Sequence, residues 1–483
     1  MSNKVKLIGR ENERESLRRC ESSDRSELVI VYGRRRIGKT FLIEQHFNEK
    51  FAFWYVGVRG LKMRDQLRRF ASALAKYSKI RDYKFKDWFE AFDALRDYLQ
   101  TLSKDKKQIV FIDEMPWMDS SRSNFVVALE DFWNGWAMSR GNIMLVATGS
   151  ATSWMRDKLV GNRGGLHGRI TCHLHLAPFT LYETEQYVKS RGIRWDRYQI
   201  LQSYMLLGGV PFYYSLLEPK FSLAQNVDRL FFDPAGQLRA EFDELYGATF
   251  PKAESYLEVV KALSNHPSGL TVSELSKEVK LEGSFLTRVI KNLERCDFIE
   301  RWSQFGNKKR LEVLRLVDFF TLFYYKFIEP NNGKDKNWWV KNMNQPVVTS
   351  WMGNTFETVC IKHHEQIKDA LGLKVISTST STWRHTPKDG TESSPMSKGA
   401  QIDMIIERAD RIIHLCEIKF YKEPYPIKNE YEAKIRNRMA IFREQTKTTK
   451  ALVNTFITTF GVANAMSHSI VDGELTMDDL FRS

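Results

Sequence analysis

No run of about 18 consecutive apolar residues occurs in the 483-residue chain, which excludes a membrane-spanning helix. The opening stretch, MSNKVKLIGRENERESLRRC, lacks an apolar h-region, so no secretory leader is expected. Cysteine is scarce: Cys20, Cys172, Cys296, Cys360 and Cys416 lie far apart, are odd in number and form no C-x-x-C pair. Neither a disulfide framework nor a zinc site follows from them. A reduced, cytoplasmic protein is the expectation. No internal repeat of roughly 20 to 50 residues is present, so a solenoid is excluded.

What is present is an ordinary globular composition, 42% hydrophobic and 27% charged. The length exceeds one core, so two to four domains are expected. The formal net charge is +14. A basic excess favours polyanionic partners, because each phosphate contact releases counterions.

The first 177 residues alternate short apolar runs with helical patterns. The runs are ELVIVYG (27–33), FAFWYVGV (51–58), QIVFIDE (108–114), NIMLVATGS (142–150) and RITCHLHL (169–176). That rhythm predicts a parallel sheet covered on both faces. A helical stretch follows over 178–250, broken at LLGGVPFYY (206–214). Residues 251–330 read as three helices and a β-hairpin, the pattern of a winged helix, with Thr271 and Glu274 forming a capping box. A polar linker is expected over 331–346. The last piece, 347–483, holds a helix, a Ser/Thr/Gly-rich loop, a hairpin and a helical tail.

The first apolar run leads into G-x-x-x-x-G-K-T, with Gly33, Gly38, Lys39 and Thr40. The glycines let backbone N–H groups curl around phosphates, Lys39 reaches the β/γ-phosphates and Thr40 holds Mg²⁺. ATP and Mg²⁺ are the expected cofactors. The run IVFIDE ends in Asp113 and Glu114 at a strand's C-terminal edge, where such sheets bind ligands. Asp113 would hold Mg²⁺ through water, and Glu114 would polarise the attacking water. Thr148 and Ser150 are γ-phosphate sensors or ordinary strand-end turn residues. An arginine finger would come from Arg163 or Arg169, in cis or on a neighbouring subunit; an ordinary solvated arginine is the alternative for each.

Residues 7–250 resemble the archaeal-type ATPase family, in the STAND branch of AAA-like P-loop proteins. LIGRENERESL (7–17), YGRRRIGKT (32–40), FIDE (111–114), TGSATSWM (148–155), LAPFTLYE (176–183) and GGVP (208–211) carry the resemblance. It implies a P-loop ASCE-type parallel sheet with a helical lid. It also implies that Gly9, Arg10 and Glu11 lie near the adenine and that Gly209 to Pro211 touch the nucleotide. It continues through the winged helix into the C-terminal domain. Relatives in that branch often oligomerise on activation, so a homo-oligomer is part of the expectation, though no coiled-coil heptads mark it.

The third helix of the winged-helix region carries Arg288, Lys291 and Arg295, and the wing tip carries Lys308, Lys309 and Arg310. A recognition helix and a basic wing are a DNA-binding arrangement; a solvated face or a protein-docking module is the alternative.

In AQIDMIIERADRIIHLCEIKF (400–420), Asp403 interrupts one apolar strand, and Glu417 and Lys419 interrupt the next. A turn near Asp410 puts Asp403 across from Glu417, with Lys419 on the same face. Two carboxylates so placed repel unless a cation joins them, and hard oxygens favour Mg²⁺ or Mn²⁺. The set resembles the PD-(D/E)xK nuclease core, a restriction-endonuclease-like α/β fold. Asp403 would be the first acid, EIK (417–419) the second signature, and Glu357 the additional acid on the preceding helix. Gln401 and Ile402 stand where that motif has its proline. The resemblance implies metal-dependent DNA cleavage; a degenerate, non-cutting site or a structural Asp–Lys pair is the alternative. His363 and His364, beside Glu357, read as exposed polar residues.

Overall fold

The computed structural model describes residues 7–250, 252–306, 312–385, 399–464 and 469–483. The chain divides into two compact units, Met1–Pro178 with Ala248–Pro251, and Phe179–Gly247 with Lys252–Ser483.

The first unit is built on five parallel strands: β1 (Glu27–Tyr32), β2 (Phe53–Val56), β3 (Gln108–Asp113), β4 (Ile143–Gly149) and β5 (Cys172–His175). All five apolar runs are therefore strands. Their order is β2-β3-β4-β1-β5, so β4 lies between the strand that enters the phosphate loop and the strand that ends in Asp113. Both faces are buried, which explains the continuous apolar runs. Leu28, Ile30 and Tyr32 pack with Phe53, Phe70, Trp88 and Phe92. Val29 and Val31 pack on the other side with Leu17, Leu42 and Ile43. The period of two along each strand feeds two separate cores.

The second unit begins with helices Leu181–Ser190, Arg197–Leu207 and Pro211–Ser215. The GGVP break has a local cause. A Cβ on Gly209 would lie 1.9 Å from the Phe179 carbonyl oxygen, and the Phe179 amide donates to the Gly209 carbonyl at 2.6 Å. Three helices follow, Ala253–Ser264, Val272–Glu278 and Gly283–Arg295. They pack with a small antiparallel sheet of β6 (Leu270–Thr271), β7 (Ile299–Trp302) and β8 (Val313–Leu316), in the order β6-β8-β7. The Thr271–Glu274 capping box is present.

Residues 331–346 are not a bare linker. Trp338–Asn342 is a helix whose first amides, Trp339 and Val340, donate to the Asp228 carboxylate at 2.8 and 3.0 Å. Trp339 is buried against Phe323 and Phe327. The apolar area of one indole outweighs the polar residues around it.

The last sheet contains β9 (Thr378–His385), β10 (Ala400–Arg408), β11 (Ile412–Lys419), β12 (Ala451–Thr458) and β13 (Gly473–Thr476), ordered β13-β12-β11-β10-β9. β9, β10 and β11 are antiparallel neighbours, while β11, β12 and β13 run parallel. The Asn429–Thr446 helix makes the connection that a parallel β11–β12 pair needs. Among the described residues, no helix is long and apolar enough to cross a membrane.

Candidate functional site

The first constellation lies at the C-terminal ends of β1, β3 and β4. Gly33 has φ 148°, and a Cβ there would lie 2.3 Å from the Leu176 carbonyl oxygen. Gly38 has φ 85° and caps the Lys39–His46 helix. Both positions therefore need glycine. The Lys39 ammonium is buried and donates to the carbonyls of Gly33 and Arg34 at 3.0 and 2.9 Å. Arg10, 5% exposed, lies beside the loop, its guanidinium 3.5 Å from the Ile37 carbonyl oxygen.

Thr40 Oγ1 donates to Asp113 Oδ2 at 2.8 Å, and the Thr148 hydroxyl donates to Asp113 Oδ1. Burial raises the Asp113 pKa above the usual carboxylate range, against the pull of these two hydrogen bonds. A buried carboxylate held beside a threonine hydroxyl is a hard-oxygen pair that fits Mg²⁺. Glu114 is left-handed at φ 48°. Its Oε2 accepts from the Ser150 amide and hydroxyl at 3.1 and 2.8 Å. Thr148 thus holds Asp113, the last residue of β3, and Ser150 holds Glu114, the residue after it.

Arg169 sits elsewhere. It is exposed, and its Nη1 is 3.5 Å from Met138 Sδ, before the start of β4. That is the N-terminal end of the sheet, opposite the phosphate loop, so Arg169 does not serve its own loop as a finger. Arg163 is also exposed. Pro211 belongs to the second unit, where it opens the Pro211–Ser215 helix.

The second constellation is a buried ionic cluster in the second unit. The hairpin register Met404↔Cys416 through Glu407↔Ile413, extended by one step, sets Asp403 opposite Glu417, as the turn position predicts. The pairing of β10 with β9 shifts between Ile402 and Ile405, which brackets Asp403. Such an irregularity re-aims a side chain. Lys419 Nζ lies 2.6 Å from Glu417 Oε1, which also accepts from the Tyr431 hydroxyl. The Arg438 guanidinium pairs with Glu417 Oε2. Burial alone would raise the Glu417 pKa, but Arg438 and Lys419 overcome it and hold the carboxyl at about 2.

The other two acids behave oppositely. Burial and then repulsion from Asp403 push Glu357 up to about 8. Burial and then Glu417 raise Asp403. Glu417 is thus committed to cations, while at Asp403 and Glu357 burial and the neighbouring acid outweigh the pull of the nearby cations, so these two are the pair that fits a divalent ion. Among the described residues, no three His, Cys, Asp or Glu side chains gather at metal-holding geometry.

Three members of the cluster were not legible as partners in the sequence. Arg438 and Tyr431 come from the Asn429–Thr446 helix. Arg315 comes from β8, is 4% exposed and donates from Nε to the Ser268 carbonyl at 3.2 Å. Burial lowers its pKa, while Glu357 and Asp403 pull it back up. Arg315, Lys419 and Arg438 balance the three acids. No spacing rule links residues from such separate elements; the only signal is an arginine inside the apolar run EVLRLV.

His363 is buried, contrary to its reading as an exposed residue. Its Nε2 accepts from the Leu181 amide at 3.0 Å, and its Nδ1 lies 2.8 Å from the Val359 carbonyl oxygen. Burial lowers its pKa to about 4.

On the Gly283–Arg295 helix, Leu286, Val289, Ile290 and Leu293 face the core. Arg288 and Lys291 are exposed, and Arg295 is half-buried. Arg288 lies 5.0 Å from the Phe285 ring centroid. Lys308, Lys309 and Arg310 lie outside the described residues.

Residues 7–211 match the family described as an ATPase domain predominantly from Archaea. An uncharacterized protein of Methanocaldococcus jannaschii is 27% identical over 329 residues, which span 67% of this chain and 69% of that protein. A Walker-type ATPase of Pyrococcus abyssi aligns with 66% of this chain and 96% of its own, at 19% identity and a TM-score of 0.46. The ORC2 protein of Aeropyrum pernix, solved in ADPNP–ADP complexes, aligns with 67% of this chain and 95% of its own, at 16% identity and a TM-score of 0.43.

Proposed function

We propose that the chain is an ATP-hydrolysing switch coupled to DNA, with a metal-dependent phosphodiester-cleaving site in its second unit. The observation that carries the ATPase reading is the convergence of Thr40, Asp113, Thr148 and Glu114 beside Lys39. Lys39 would move from the loop carbonyls to the β/γ-phosphates. Thr40 and Asp113 would hold Mg²⁺, which supplies charge neutralisation to the phosphates. Glu114, held by Ser150, would accept the proton of the attacking water. Arg10 and Pro211 are proposed nucleotide contacts; Arg169 would act only on a neighbouring subunit.

In the second unit, Asp403 and Glu357 are the proposed ion-holding acids. Lys419 and Arg438 would meet the phosphate, and Glu417 would position both cations. The ion would supply a more acidic water and stabilise the departing oxygen. Arg288, Lys291, Arg295 and the basic run Lys308–Arg310 are proposed DNA contacts.

A second reading is favoured by one observation: both oxygens of Glu417 are already engaged by Lys419, Tyr431 and Arg438. On that reading the C-terminal unit binds DNA phosphate without cutting it. Supercoiled plasmid with Mg²⁺ separates the two. Cleavage that Asp403→Asn abolishes and Lys39→Ala alters only in its ATP response supports the first. Salt-sensitive DNA binding without cleavage supports the second.

A further inference from the structure

Cys20 and Cys172 are brought together by the fold, and none of the five described cysteines is in a disulfide; the other neighbouring pair, Cys360 and Cys416, is fully buried. Cys20 lies near the C-terminal end of the Glu11–Ser22 helix and is 8% exposed. Cys172 opens the edge strand β5 and is half-buried. Both pack on the same apolar cluster beneath β1 and both line one surface hollow of about 510 Å³, with Arg19, Arg25, Glu27 and Thr171. Thr171 Oγ1 accepts from the Leu28 amide at 3.0 Å and fixes the start of β5 beside the helix.

We propose that Cys20 and Cys172 form a reversible thiol–disulfide site, in which a peroxide is the oxidant, Cys172 the attacking sulfur and Cys20 the resolving one. The asymmetry of the pair supports the order. The hydrogen bond from Cys20, with a smaller pull from Arg19, lowers the Cys172 pKa against burial and Glu27, which raise it. The same hydrogen bond, and then burial, raise Cys20. The thiolate form is the nucleophile, so the half-exposed sulfur reacts first. The Cys172 thiolate attacks one peroxide oxygen, the O–O bond breaks, and the departing hydroxide takes a proton to become water. Cys172 is then a sulfenic acid. Cys20 sulfur attacks the Cys172 sulfur, its proton joins the displaced hydroxide as a second water, and the S–S bond forms. Two thiols and one peroxide give one disulfide and two waters.

The bond would tie the Glu11–Ser22 helix to β5 at the end of the sheet away from the phosphate loop. It therefore stiffens the first unit without touching Lys39, Thr40 or Asp113.

The test is hydrogen peroxide titration of the full chain, followed by peptide mapping and thiol counting. Two of the five thiols are lost together, the peptides holding Cys20 and Cys172 are joined, and a thiol reductant restores both. The unfolding midpoint of the first unit rises by several degrees on oxidation, because a long loop of the unfolded chain is closed. In Cys20→Ser, Cys172 accumulates as a sulfenic acid that dimedone captures; in Cys172→Ser, Cys20 stays reduced. Peroxide that leaves both thiols intact, or oxidises them without joining their peptides, overturns the proposal. So does dimedone capture at Cys20 in place of Cys172.

Discussion

Thr40 and Asp113, 73 residues apart, are joined by a 2.8 Å hydrogen bond from hydroxyl to carboxylate. It links the helix after the phosphate loop to the end of β3, across the intervening β4. Removing the hydroxyl leaves a buried carboxylate with one donor fewer and a metal pair with one oxygen fewer. Thr40→Ala is expected to lower ATP turnover about 100-fold or more, at roughly 1.4 kcal/mol per tenfold. Nucleotide binding should weaken in Mg²⁺ and change little in EDTA. Calorimetric titration in both buffers checks the split.

The imidazole of His363 fixes the start of the Leu181–Ser190 helix, and only its neutral form does so. Nδ1–H donates to the Val359 carbonyl while Nε2 accepts from the Leu181 amide. Burial lowers its pKa from 6.5 to about 4. Between those values the unfolded chain binds the proton and the folded chain does not. The stabilisation is therefore complete above pH 6.5 and is lost as pH falls toward 4, for a total on the order of 3 kcal/mol. Denaturant midpoints of the wild type minus those of His363→Gln should trace that loss over this window.

Arg438 and Glu417 form a buried ion pair whose members depend on each other. Removing Arg438 leaves Glu417 Oε2 buried without its cation, because Lys419 and Tyr431 engage only Oε1. Arg438→Met is expected to destabilise the second unit by about 3–5 kcal/mol. The double variant Arg438→Met/Glu417→Gln should recover most of it, because the uncompensated charge goes with the partner. Urea unfolding followed by tryptophan fluorescence measures both; a double variant as weak as the single one would sink the coupling.

The parts that were legible in the sequence are those set by local chemistry. The phosphate loop is one contiguous motif between an apolar strand and a helix. The facing of Asp403 and Glu417 follows from a turn near Asp410 and the two-residue period of strands. What was not legible is set by packing between distant elements. Arg315 and Arg438 join the acids from β8 and from the helix after β11. His363 is buried because the chain near Leu181 covers it. Trp339 turns an expected linker into a packed helix, since its indole finds Phe323 and Phe327. Arg169 carries the right charge at the wrong end of the sheet.

Glu114 offers the most direct test, because its proposed role separates chemistry from binding. Glu114→Gln keeps the Ser150 contact within reach and removes only the proton acceptor. ATP turnover under single-turnover conditions, measured beside ATP affinity, should fall at least 100-fold with affinity unchanged. A wild-type chain that does not bind ATP, or a Glu114→Gln variant that hydrolyses it at the wild-type rate, would contradict the account.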